Sequence, residues 1–351
     1  MRVVVVGATG NVGSSLVRAL SADTSVDSVL GVARRRPELE VPKVEWATAD
    51  VTRDELAPLF SGADAVVHLA WAIQPSRDLT ALWRTNVAGS QRVFDAVAAA
   101  GVPALVYASS VGVYSPGPKD RTVDESWPTG GIPSSFYSRH KAEVKRRLDR
   151  FEAEHTDIRV VRLRPGLTFK RSSASGQRRL FGGPLVPGFL ARPGLIPFFP
   201  DVPRLRFQAV HTEDVAEAYR LAVTGDARGA FNVAAEPVLD SARLARILGA
   251  RLVRVPERAV RRVVDVTWRL HLQPTPPGWV DLALCSPLLD TTRARVELGW
   301  TPRLGAEDAI RELLAGVREG AGEPTPPLDP KAGGPARVEE VATGVGESER
   351  V

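Results

Sequence analysis

A single cysteine, Cys285, stands among the 351 residues. It excludes an intramolecular disulfide and any metal site built on clustered thiolates. The histidines are not grouped at metal-ligand spacing, so no metal is expected. No run of about 18 apolar residues occurs, which leaves no candidate for a bilayer-spanning helix. An apolar strand starts within two residues of Met1, leaving no room for a signal peptide, and a cytoplasmic location is expected. Net charge is only +5, with arginines scattered over several segments, so no nucleic-acid partner is expected. There is no internal repeat. The apolar fraction of 44% and charged fraction of 25% are those of an ordinary globular protein, long enough for one large or two modest domains.

What is present begins at residues 3–13, VVVVGATGNVG. Four valines read as a buried strand. Gly7, Gly10 and Gly13 follow, and residues 14–22 read as a helix with Leu16, Val17 and Leu20 on one face. A strand, a glycine turn and a helix start make a phosphate site: the backbone can approach a pyrophosphate, and the free N–H groups attract the anion. The spacing is G-x-x-G-x-x-G, not the G-x-G-x-x-G of the standard dinucleotide fingerprint. A second strand, 28–33, ends at Arg34-Arg35-Arg36. An NAD-binding fold places an acid about 20 residues past the turn, on the ribose 2′-OH. Here Arg34 and Arg35 stand there instead, which favours the 2′-phosphate of NADP over NAD. A plain solvated turn is the alternative.

The chain then alternates. Strands are expected at 43–48, 65–69, 104–108 and 158–163, and helices at 55–60, 81–100 and 136–155. This is an α/β pattern: a Rossmann-type, doubly wound parallel sheet with helices on both faces and ligands at the carboxyl ends of the strands. Residues 209–211 read as a strand, 212–223 as a helix capped by Thr212, and 230–233 as a further strand. The domain reading is a dinucleotide-binding unit over 1–166, rejoined by 209–235. A smaller α-rich substrate region covers 167–208 and 236–319, with a strand near 252–255. The tail, 320–351, is Gly/Pro/Glu-rich and is expected to be disordered. The apolar piece 184–200 is expected to cover something.

With Gly7-x-x-Gly10-x-x-Gly13, Ser109-Ser110-x-x-Val113-Tyr114 and Tyr137-x-x-x-Lys141 in hand, the chain resembles the extended short-chain dehydrogenase/reductase family, the NAD(P)-dependent epimerase/dehydratase group. His68-Leu69-Ala70, Asn86-Val87-x-Gly89, Arg164-Pro165-Gly166, Val210-His211-x-x-Asp214 and Leu298-Gly299-Trp300-x-Pro302 extend the likeness to about Arg318. Tyrosine and lysine four apart share a helix face, and a nearby ammonium lowers a phenol's pKa from about 10. The resemblance implies that Tyr137 transfers the substrate's hydroxyl proton, and that Lys141 bonds the nicotinamide ribose and tunes Tyr137. Ser110, rather than Ser109, would bond the substrate oxygen. It also implies cofactor contacts from Gly7, Thr9, Gly10, Asn11, Val12, Gly13, Asp50, Val51, Leu69, Ala70, Asn86 and Pro165, beside Arg34 and Arg35. Asp50 would bond the adenine edge or cap the next helix. Asn86 would anchor a loop near the nicotinamide or satisfy backbone groups. His211 and Asp214 read as structural and His140 as a solvated helix residue. A homodimer through the helices of Asn86 and Tyr137 is a family expectation.

The activity implied is NAD(P)-dependent oxidoreduction or epimerisation of a small molecule, with hydride transfer at a carbonyl or secondary alcohol. Nucleotide-sugar enzymes of the family carry an arginine where Phe207 stands; Arg206 is one residue off, and one residue reverses direction in a strand. Val111-Gly112 replaces the Asp-Glu of sugar dehydratases. These departures lean toward a reductase acting on a less polar substrate. A nucleotide-sugar epimerase with retained NAD is the alternative, and a non-catalytic, cofactor-sensing binding protein the second. Residues 253–272, apolar and arginine-rich, read as a helix with a solvated arginine face, the alternative being a segment lying on an acidic surface or membrane.

Overall fold

The structure, a computed structural model, describes residues 1–74, 76–183 and 191–331. Seven strands form the central sheet: β1 (Arg2–Val6), β2 (Ser28–Ala33), β3 (Val44–Thr48), β4 (Ala65–His68), β5 (Ala104–Ala108), β6 (Arg159–Pro165) and β7 (Gly229–Val233). Their order is β7-β6-β5-β4-β1-β2-β3, and every pairing is parallel. The order reverses beside β1, so a crevice opens at the carboxyl ends of β1 and β4.

The valines of β1 show why the sheet needs two helical layers. Alternate side chains leave a strand on opposite faces. Val3 and Val5 pack with Leu16, Val17 and Leu20 of α1 (Asn11–Ala22), and with Val215 and Tyr219 of a helix over Thr212–Thr224. Val4 and Val6 pack with Val93, Phe94 and Val97 of α2 (Gly89–Ala99), and with Val144, Leu148 and Phe151 of α3 (Phe136–Glu154). Each such side chain, removed from water, stabilises the fold by about 1.5–3 kcal/mol.

Beyond Thr212–Thr224, here α4, the smaller part carries α5 (Glu257–Arg269), α6 (Gly278–Cys285) and α7 (Ala306–Glu319). Asp214 ties it to the sheet. Its Oδ1 accepts from the Arg303 N–H at 3.0 Å and its Oδ2 from Leu304 at 3.1 Å. Its carbonyl accepts from Trp300 Nε1 at 2.7 Å. The two late sequence motifs therefore meet as one joint.

Several expectations are corrected. Helix 81–100 is present but not uniform: it runs from Leu79 to Ala99, with one widened, π-type turn over Arg84–Ala88 between Leu79–Trp83 and α2. That turn lets Asn86 reach sideways. Thr212 does not cap α4. His211 does, its Nδ1 accepting from the Glu213 N–H at 3.4 Å, while Thr212 donates to Asn11 Oδ1 at 3.1 Å. His140 is buried, not solvated. The strand 209–211 pairs with Leu167–Phe169, outside the main sheet.

The tail is ordered over residues 320–331. Leu328 is buried, and Glu323 accepts from Lys170 Nζ at 2.6 Å, Ser172 at 2.6 Å and Arg18 at 3.2 Å. Backbone bonds from Glu38 to the Pro324 carbonyl and from Ser175 to the Ala321 carbonyl, at 3.2 Å each, hold the segment as well. Residues 332–351, and 184–190 of the expected covering piece, lie outside the described residues. Among the described residues no helix is long and apolar enough to cross a membrane.

Candidate active site

The residues singled out in sequence gather along the carboxyl edge of the sheet. At the end of β1, Gly7 has φ +87°, and a Cβ there would come within 2.6 Å of the Ala70 backbone nitrogen. A Cβ on Gly13 would overlap the Gly7 carbonyl oxygen. These two glycines let the turn, the helix and the chain after β4 pass at backbone distance. Gly10 differs: a Cβ there would meet only the Gly7 oxygen, at 3.5 Å, so it faces open space. Gly10 stands at the N-cap of α1 with no side-chain cap and no acid in the first turn. The first N–H groups of a helix have no intrahelical partner. In α1 the first of these belong to Asn11, Val12 and Gly13, next in the chain to Gly10 and buried Thr9. The Asn11 side chain is engaged elsewhere, donating to the Thr168 carbonyl at 3.1 Å.

Further along the edge, Arg34 and Arg35 are exposed at the end of β2. Asp50 follows β3. Its Oδ1 accepts from the Thr52 N–H at 2.9 Å and hydroxyl at 2.8 Å. Burial pushes this carboxyl up, but the Thr52 bonds and the charges of Arg34 and Arg53 leave it below its ordinary value. Asp50 thus braces a turn and does not cap Ala57–Phe60. Val51 is buried under α2, and Leu69 donates its N–H to the Val6 carbonyl at 2.8 Å. Pro165 ends β6 opposite Val233.

Asn86 is fully buried, and its amide makes both bonds to the backbone of Ala72: Nδ2 to the carbonyl at 2.8 Å, Oδ1 from the N–H at 2.7 Å. Ser90 donates to the Asn86 carbonyl at 2.6 Å and lies 2.9 Å from His68 Nε2. This network fixes the chain just after β4, where Trp71 stands. Burial, then the charge of Lys141, lowers His68 to about 3, so it is neutral at pH 7.

Ser110, Tyr137 and Lys141 converge. Ser135 caps α3, and Ser138 is locked between the Gly112 carbonyl and the Ile132 N–H, fixing the helix start against the turn that carries Ser110. The Ser110 hydroxyl accepts from Gly112 at 3.0 Å. Lys141 Nζ donates to the Ala108 carbonyl at 2.6 Å and lies 3.4 Å above the Trp71 ring and 5.8 Å from the centroid of Tyr137. Lys141 is buried, which pulls its pKa well below the usual value. Burial pushes Tyr137 up to about 12, partly offset by a hydrogen bond with Ser110. The sequence predicts a lowered phenol. In this state desolvation dominates and Tyr137 is a protonated donor at pH 7.

The sequence reading missed the aromatic wall around this cluster. Trp71 meets Tyr137 edge-on at 5.8 Å, Trp279 of α6 lies 4.9 Å from it, and Phe181 stands 5.0 Å from Trp279. Trp71 Nε1 and Tyr107 Oη are buried without partners. Only Trp71, directly after a strand end, carried a local signal. Trp279 and Phe181 arrive from distant segments.

A sequence model described as the NAD dependent epimerase/dehydratase family matches residues 3–234. An uncharacterized protein of Mycobacterium tuberculosis is 26% identical over 91% of this chain, which spans only 30% of that relative's length. The sterol-4-alpha-carboxylate 3-dehydrogenase ERG26, decarboxylating, of Saccharomyces cerevisiae is 25% identical over 91% of this chain and 98% of its own. Among solved structures, MoeE5 in complex with UDP-glucuronic acid and NAD superposes with TM-score 0.66 at 22% identity, covering 91% of this chain and 99% of that one. The UDP-glucose 4-epimerase of Thermus thermophilus in complex with NAD gives TM-score 0.65 at 21% identity, with the same coverage. The glycine turn, the parallel sheet and the matched span agree: the chain belongs to the NAD dependent epimerase/dehydratase family.

Proposed function

We propose that this enzyme interconverts a secondary alcohol and a carbonyl on a largely apolar substrate, with Tyr137 as proton donor and acceptor. The observation that carries the reading is the Ser110–Tyr137–Lys141 cluster, with Ser110 and Lys141 buried and the half-buried Tyr137 walled by Trp71 and Trp279. A dinucleotide fits the residues present: the uncapped α1 start beside Gly10 suits its diphosphate, and Trp71 Nε1 is an unsatisfied donor beside Lys141. When bound, the nicotinamide supplies or accepts the hydride. This chain's residues do the rest. Tyr137, protonated at neutral pH, gives its proton to the substrate oxygen in the reducing direction. Ser110 bonds that oxygen as charge shifts, and the Lys141 ammonium stabilises the phenolate left behind. The relative ERG26 bears the name of a dehydrogenase of a sterol carboxylate, which accords with an aromatic wall. A preference for NADP rests on exposed Arg34 and Arg35 standing in sequence where an NAD-binding fold places an acid, whereas the neighbouring structures above hold NAD.

The competing reading, a nucleotide-sugar epimerase with retained NAD, is favoured by one cluster. Lys119 is buried against the Arg206 and Ala283 carbonyls at 2.8 and 2.7 Å. Burial, then the charge of Arg204, pulls it to about 7, with Arg206 adding to the shift. The crowding of Lys119, Arg204 and Arg206 is the kind of cationic cluster that receives a diphosphate. Tyr137→Phe tests the main reading: turnover of an alicyclic alcohol should fall by about 10²–10⁴-fold with cofactor affinity retained. Undiminished turnover overturns it. Stabilisation by UDP-sugars with no net consumption of cofactor transfers the case to the epimerase.

A further inference from the structure

Over its 13 residues, none of α5 is buried. Its three faces differ. The inner face is fastened to the body through Trp268, whose ring stacks with Arg77 at 4.4 Å and whose carbonyl accepts from Arg77. Trp268 Nε1 also donates to Ser76 at 3.4 Å, and Arg261 pairs with Asp281 of α6 at 2.9 Å. The second face is apolar and in water. Ala259, Val263, Val266 and Leu270 follow at spacings of four, three and four, one stripe of a helix. Val263 and Leu270 are each 62% exposed and Val266 is 45% exposed. Scattered exposed apolar residues are ordinary; a stripe is not. The third face, beside that stripe, carries Arg258, Arg262 and Arg269. Arg269 pairs with Asp265 at 3.1 Å, whereas Arg258 and Arg262 have no acidic partner among the described residues.

We infer that α5 is a docking helix for an anionic lipid surface. A helix lying in a bilayer interface needs an apolar stripe to enter the acyl boundary and a cationic row to meet the headgroups. α5 offers both, while its remaining face holds it to the protein. A sequence reading of a merely solvated arginine face does not account for Val263 and Leu270 in water. A second copy of the chain fits less well. A symmetric pair of stripes brings together the Arg258 and Arg262 of both copies, which have no acidic partner among the described residues, and like charges across an interface are unfavourable. The helix joins the active site through Arg261–Asp281, since α6 also carries Trp279. Docking therefore sets the aromatic wall near the lipid, though the inference stands on α5 alone.

The test is co-sedimentation of the full chain with vesicles of phosphatidylcholine, alone or in equimolar mixture with phosphatidylglycerol, at low and high salt. Binding should be at least about tenfold stronger to the anionic vesicles and should weaken with salt. The pair Val263→Asp and Leu270→Asp should abolish it. Arg258→Glu with Arg262→Glu should weaken it by at least roughly fivefold for each arginine. These side chains touch little of the body, so thermal midpoint and cofactor affinity should stay as in the parent, which separates lost docking from lost folding. Equal binding to both vesicle types, or no binding, overturns the inference. So does a concentration-dependent dimer that Val263→Asp dissolves, because the stripe then belongs to a second copy.

Discussion

Two valine-rich stretches of this chain meet opposite fates. In β1, Val3, Val4 and Val5 are wholly buried. In α5, Val263 and Val266 face water. Composition does not separate them. What separates them is how many of their faces the rest of the chain covers. β1 sits mid-sheet between β2 and β4 with helices above and below. α5 is fastened along one side only. The first stretch states where the core is; the second states that the fold ends there with apolar surface unspent. The active site lies between these extremes, its floor built on the sheet edge and its wall brought by α6, next to the uncovered helix.

The contrast predicts unequal costs of truncation. Leu16→Ala removes a fully buried side chain between α1 and the sheet. It should destabilise the protein by about 3–4 kcal/mol, read as a shift of the urea midpoint at unchanged slope. A loss below 1 kcal/mol would mean the β1 side of the comparison is not close-packed.

The next largest effect concerns the tail. Glu323→Gln leaves the Lys170 ammonium buried against Ser14 and Ser15 without its carboxylate. A loss of about 3 kcal/mol is expected, since breaking a buried pair strands a charge. Removing residues 320–351 should cost at least as much. Were both changes silent, residues 320–331 would be as dispensable as their composition implies.

Acid should act in two windows. His68 has a depressed pKa in the fold, about 3 against 6.5 unfolded. The unfolded chain therefore binds a proton below pH 6.5 that the fold refuses, and stability falls as pH drops from 6.5 toward 3. The slope is at most about 1.4 kcal/mol per pH unit from this group. His140, lowered to about 4 by burial and then Arg139, acts in the same direction over a narrower range. Glu323 is lowered to about 2: burial raises it, and Lys170 and Ser172 more than reverse that. Its contribution is complete above pH 4.5 and is lost as pH falls toward 2. Proton NMR of the histidine rings checks the first window: a His68 resonance titrating near pH 6.5 in the folded protein would contradict its burial.

How legible this was in the sequence follows the same division. The sheet could be read because a parallel strand buried on both faces is a short apolar run, and the glycine turn because Gly7 and Gly13 answer a steric demand between near neighbours. Tyr137 and Lys141 could be paired because one helix turn fixes their spacing. The ionisation of Tyr137 could not be read, since it depends on Trp71 and Trp279 shutting out water, and Trp279 arrives 142 positions later in the chain. The widened turn at Arg84–Ala88 contains neither glycine nor proline; it carries Asn86, which bonds the distant Ala72 backbone. The ordered part of the tail rests on contacts with distant segments, among them Glu323 with Lys170 and Glu38 with the Pro324 carbonyl. Local rules carried the frame, and contacts between distant segments carried the chemistry.

The smallest expected effect makes the comparison sharpest. Val263→Ser deletes apolar surface as Leu16→Ala does, but from a side chain already 62% exposed. Little area returns to water and no cavity forms, so the change in unfolding free energy should stay within about 0.5 kcal/mol. Helix propensity differs only slightly between valine and serine, so it does not decide the sign. If the same substitution weakens binding to anionic vesicles while the urea midpoint stands still, the valine serves contact with a partner and not folding. A loss above 1 kcal/mol would instead show that α5 is covered in solution, and the contrast between the two valine stretches would then be one of degree.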